Sequence, residues 1–224
     1  MFGSLWNRMF GNKADRPERK APQPALEASY DPVVALRDLV RRDVAGGFFD
    51  DDAILTNAND MFEEELPRPL LRVEASAALR VALAEHRAAE QGWSDTTDCD
   101  RLDAAFAVLD EQGVVARQNF TCCGTCGATE IWDEIEAAQE EGVAVEGYAF
   151  FHMQDTESAV EGHGLYLNYG ACEQGEEAAV AMGHRIVAAL EAQGLRTGWD
   201  GRLEQRIGVT LDWKKRRSVR VLES

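Results

Sequence analysis

The hydrophobic period of this chain changes at Gly113, and that change limits what it can fold into. Before Gly113 the apolar residues recur every three to four positions, the spacing of helices with one buried stripe. Val33, Leu36, Val40 and Val44 form the first such stripe, behind an Asp31-Pro32 helix start and ahead of Gly46-Gly47. Residues 50–66 read as a second, acidic helix that ends before Pro67 and Pro69. Ala75, Leu79, Ala82 and Leu83 mark a third over 73–90, and Leu102, Ala105, Phe106 and Leu109 a fourth that closes near Gly113.

Beyond Gly113 strand signals appear. Residues 114–120 (VVARQNF), 147–153 (GYAFFHM) and 165–169 (LYLNY) are rich in β-branched and aromatic residues, and a short strand fits 195–199. Leu203, Ile207, Val209, Leu211 and Trp213 alternate in a last strand. Ile131, Ile135 and Ala138 share the face of a helix over 128–141, and Ala179, Met182, Ile186, Ala189 and Leu190 that of another over 175–193. This order predicts an α+β protein with a ferredoxin-like (βαββαβ), mainly antiparallel sheet and one extra C-terminal strand. Strand 114–120 is then central, and helices 128–141 and 175–193 lie on the same face. The expected division is a flexible tail over 1–30, a helical region over 31–112 and a sheet domain over 113–224.

Charge narrows the partners. The net charge is −17, and the basic excess lies near the two ends, so the body between them is more acidic still. Such a surface repels phosphate backbones, and nucleic acid is not an expected partner. No apolar run approaches the ~20 residues that span a bilayer, so no membrane partner is expected either. A protein or a small molecule remains. The opening MFGSLWNRMF lacks the long apolar core of a signal peptide, which makes the cytoplasm the expected compartment. The one basic cluster, Lys214 to Arg217, reads as a solvated turn or tail.

Residues 119–127, NFTCCGTCG, carry three of the five cysteines just before a helix. Three readings fit. Cys123 and Cys126 have the spacing of a redox dithiol, with His152 as proton acceptor and Asp155 beside it, but the chain has no proline after residue 69 to supply a thioredoxin-like cis-proline loop. Zinc is the one metal the pattern allows, with Cys122, His152, His163 and Cys172 as further ligands to Cys123 and Cys126. The third reading is packing, in which small Cys and Gly side chains let the helix approach the sheet. No organic cofactor is expected. If strand geometry persists to this point, Cys122 and Cys123 leave on opposite faces, so that Cys122 packs inward and Cys123 pairs with Cys126.

A second cluster, His152, Asp155, Glu157 and His163, is expected on or beside one hairpin, as a general base, a metal site or a simple turn cap. Together, NFTCCGTCG, GYAFFHMQDTE and GLYLNYG resemble a bacterial domain-of-unknown-function family built on a Cys-Cys-x-x-Cys-Gly turn and an aromatic-His-Gln-Asp-Thr-Glu stretch. The resemblance covers residues 33–213 and implies no activity, because none is known for the family. The leading expectation is an acidic binding or interaction module with the Cys122–Cys126 turn as its functional edge; a thiol-dependent redox enzyme or a zinc protein is the alternative.

Overall fold

The computed structural model describes residues 30–217, so the tail expected over 1–30 lies, Tyr30 apart, outside the described residues. Seven helices and five strands are present among them: α1 (Pro32–Gly46), α2 (Asp51–Phe62), α3 (Arg68–Glu90), α4 (Asp98–Glu111), β1 (Val114–Arg117), α5 (Gly124–Glu140), β2 (Gly147–Phe150), α6 (Met153–Val160), β3 (Leu165–Ala171), α7 (Glu176–Ala192), β4 (Arg196–Gly198) and β5 (Ile207–Thr210). Local chemistry sets the helix starts. Asp31 and Asp50 accept the Val33 and Ala53 N–H groups at 2.9 Å each, and Thr97 closes a capping box with Asp100. Pro69 lies in the first turn of α3, where its missing N–H costs nothing.

The helical half builds one core and the sheet another. Leu36, Val40, Ile54, Ala58, Leu71, Ala75 and Leu79 from α1, α2 and α3 pack together. The fourth helix does not join them: Leu102, Phe106 and Leu109 belong to the sheet core with Leu165, Leu167, Ile186, Leu190, Ile207 and Val209. The α4 helix reaches β1 through a tight turn at Gly113, whose φ of +77° suits glycine and where a Cβ would meet the Ala144 carbonyl oxygen at 2.5 Å.

The sheet is α+β and mixed, not ferredoxin-like. Its strand order is β1-β2-β3-β5-β4; β1 and β2 run parallel and the other neighbours antiparallel. Adjacent parallel strands need a crossover, which α5 supplies. The first strand is therefore at an edge, not at the centre. Its continuous apolar run misleads because both of its faces are nonetheless covered. Val114 and Ala116 face the core shared with α4 and α7, while Val115 faces α5. Its outer edge is closed by Asp110, which accepts the Ala116 N–H at 3.0 Å. The two helices also lie on opposite faces. Ile131 and Ile135 of α5 pack on Val115 and Phe150, whereas Met182, Ile186 and Leu190 of α7 pack on Ala149, Leu167 and Tyr169.

The basic cluster is no solvated tail. After β5 the chain crosses the helices as an extended strap. Trp213 donates its indole N–H to the Ala45 carbonyl at 3.0 Å. Lys215, Arg216 and Arg217 then meet Asp103, Asp100 and Asp51 at 2.9, 2.5 and 2.9 Å. These partners come from α4 and α2, so the strap joins the sheet core to the helical core. Replacing Lys215 and Arg217 together with alanine should lower stability to urea by about 1–2 kcal/mol at low ionic strength. The deficit should shrink in 1 M NaCl, because screening already weakens the pairs in the parent protein. An unchanged deficit in salt would show that packing, not charge, carries the strap.

Candidate functional site

The loop from Gln118 to Cys123 carries two of the three clustered thiols, with Cys126 in the first turn of α5, and is stitched to the segment after β2. Phe120 donates its N–H to the Phe151 carbonyl at 2.8 Å, and Met153 to the Thr121 carbonyl at 3.1 Å. Asn119 and Thr121 hold φ values of 51° and 58°. For a β-branched residue such as Thr121 this left-handed conformation costs about 1–2 kcal/mol, and the surrounding bonds have to enforce it. Strand geometry thus stops at Arg117, and the alternation expected at Cys122 and Cys123 does not persist.

Cys122 consequently does not enter the core. It is exposed, while Cys123 and Cys126 are half-buried. The three Sγ atoms all lie within 4.8 Å of one another, and Cys122 Sγ is 3.6 Å from Cys126 Sγ. The odd one out predicted from spacing therefore touches Cys126. Nor do the sulfurs lie buried under Trp132, which is itself exposed and rests edge-on against Tyr148.

Cys123 occupies the N-cap of α5. The Cys126 and Thr125 N–H groups face its sulfur without closing a short hydrogen bond, and with the neighbouring thiols they hold its pKa below the ordinary thiol value. Cys126 is pushed up to about 11, first by hydrogen bonding of its protonated form to Cys122 and then to Cys123, and further by charge on either neighbour. The turn therefore holds one thiol whose pKa lies below the ordinary value and one whose pKa lies above it.

The close approach of α5 to the sheet comes from glycine rather than from cysteine. A Cβ on Gly127 would lie 2.4 Å from the buried Phe150 ring. A Cβ on Gly124 would lie 3.4 Å from His152 Nε2, so the imidazole sits beneath the first residue of the helix.

His152 and Asp155 are not on a hairpin turn: α6 stands between β2 and β3, with His152 as its N-cap. The Asp155 carboxylate accepts the His152 backbone N–H at 3.1 Å, His152 Nδ1 accepts the Asp155 N–H at 3.3 Å, and Nε2 lies 3.0 Å from Asp155 Oδ2. Both side chains are buried. Burial foremost, then the Arg206 charge, keeps the imidazole pKa below its usual value against the pull of Asp155. Arg206 Nη2 reaches Asp155 Oδ2 at 2.6 Å and also donates to the Tyr166 carbonyl. The histidine and aspartate thus brace the cysteine turn from below, with both imidazole nitrogens directed at Asp155.

The remaining candidates lie apart. Cys172 follows β3 and donates its N–H to the Glu146 carbonyl, next to the Gly147–Ala171 pair. That is the start of β2, whereas the thiol turn adjoins its end, some 10 Å along the strand. Burial pushes the Cys172 thiol pKa up. His163 is exposed in the turn after α6. Sequence reasoning missed Arg206, whose partner is 51 positions away and leaves no local signal. It also missed α6, although His152-x-x-Asp155 has capping-box spacing with an unusual first residue.

The family described as Domain of unknown function (DUF6891) matches residues 30–217 of this chain, and the chain belongs to that family. No curated protein and no solved structure matches it.

Proposed function

We propose that this DUF6891 chain is a zinc-binding module whose ion is held by the thiolates of Cys122, Cys123 and Cys126, with a fourth position left open. The carrying observation is the three Sγ atoms gathered within 4.8 Å of one another on the protein surface. Sulfurs about 2.3 Å from one tetrahedral zinc stand about 3.8 Å apart, and the 3.6 Å between Cys122 and Cys126 is close to that value. An all-thiolate donor set selects a soft or borderline ion. Three thiolates and Zn²⁺ carry one net negative charge, which suits the N–H end of α5. Exposure of Cys122 leaves the outer side free for a donor atom from a small molecule or another protein, and this makes the turn a binding edge. A reducing compartment such as the cytoplasm belongs to the proposal, because thiols hold metal only while reduced.

A second reading has its own support. The close contact between the Cys122 and Cys126 sulfurs suits a dithiol. A small disulfide reagent would take two electrons and two protons from Cys122 and Cys126, leave as two thiols, and join them. Native mass spectrometry with metal analysis separates the two. The zinc reading expects one zinc per chain, lost in Cys126→Ser and released on acidification as the thiolates regain protons. A metal-free native chain that refuses added zinc and carries a Cys122–Cys126 bridge would establish the dithiol instead.

A further inference from the structure

A cavity of about 330 Å³ opens between α1, α2 and α6, with Asn119 of the cysteine-bearing loop on its wall. Phe49, Met61, Met153 and Leu39 give it a mainly apolar wall. Its charged groups are unbalanced: Asp43, Asp60 and Glu157 stand against Arg42 alone. Arg42 already has Glu161 at 3.7 Å, and the nearby Arg217 is held by Asp51.

The geometry points to a binding site for a small organic ammonium ion with an apolar body, the cation placed between Asp43, Asp60 and Glu157 and the body against Phe49 and the two methionines. Asp43 is the anchor. It lies in the last turn of α1, where the helix dipole disfavours a carboxylate. Its side-chain hydrogen bond comes from the neutral Asn57 amide, at 3.3 Å. Burial foremost, with the Glu157 charge, holds its pKa above the usual carboxylate value despite the Asn57 hydrogen bond and the Arg42 and Arg217 charges. A bound cation would relieve both burdens, and an aromatic and thioether wall suits the attached carbon chain. The volume falls within the range of small-molecule pockets. This inference is independent of the zinc reading.

The test is calorimetric titration of the full chain with three probes that share a phenylethyl body: 2-phenylethylamine, 2-phenylethanol and 3-phenylpropionate. The amine should bind about tenfold or more tighter than the alcohol, the worth of one partly buried charge contact, and the carboxylate weakest. Asp43→Asn should erase that preference. Asp60→Asn alters an exposed residue, leaves folding out of question and should reduce the preference several-fold. An alcohol that binds as tightly as the amine, a carboxylate that binds tighter, an amine that does not bind, or a preference intact in both variants would overturn the assignment.

Discussion

Replacing Arg206 with methionine should destabilise the protein by about 1–3 kcal/mol at pH 8, the loss expected when a buried carboxylate loses a charged partner that is itself more than a third exposed. The reason is Asp155. Its carboxylate is 5 % exposed, and the Arg206 guanidinium at 2.6 Å is its permanent cation. His152 is the other neighbour, held below its usual pKa and therefore neutral at that pH. The penalty should itself depend on pH. Removing the Arg206 charge removes one of the causes that lower the His152 pKa. As pH falls, the variant gains His152 as a cationic partner for Asp155 earlier than the parent does, although burial still holds the imidazole below its usual value. The difference from the parent in urea unfolding should then be greatest above pH 7.5 and narrow toward pH 5.5. A difference constant across that range would mean that Arg206 matters for packing and not for charge.

The second large effect is expected at Gly127. Valine there should cost about 2–3 kcal/mol through overpacking. The clash is with the Phe150 ring at 2.4 Å, and Phe150 is 1 % exposed with no room to retreat. Alanine makes a clear comparison. It raises helix propensity by ~1 kcal/mol over glycine, yet its Cβ meets the same ring, so Gly127→Ala should still be less stable than the parent. Either substitution pushes the start of α5 outward and spreads the three sulfurs, so zinc affinity should fall in parallel. A more stable Gly127→Ala protein would show that the helix can shift without strain.

Much of this architecture was legible because period and caps are local. The stripe Leu36-Val40-Val44, the Asp31-Pro32 start and the alternation at Ile207 and Val209 each specify their element without help from the rest of the chain. Strand order was not legible. Val114, Val115 and Ala116 are buried in either a central strand or an edge strand covered on both faces, and only tertiary contacts from Asp110, α4 and α5 distinguish the two. The three cysteines of the turn do stand together, but in another arrangement than the spacing predicts. Strand alternation ends at Arg117, after which Asn119 and Thr121 turn the backbone left-handed. The basic run was misread for a related reason: nothing near Lys215 in sequence announces Asp103.

Three thiolates acting together on one ion would show in a cobalt titration. Co²⁺ occupies zinc sites, and its thiolate charge-transfer absorption grows with the number of sulfur ligands. The parent chain should bind one Co²⁺ with absorption appropriate to three thiolates, and stoichiometric zinc should displace it. Cys122→Ser, Cys123→Ser and Cys126→Ser should each lower the absorption per bound ion and weaken binding, whereas Cys172→Ser should leave both unchanged. Equal absorption in the parent and in Cys122→Ser, or no charge-transfer band at all, would contradict the account.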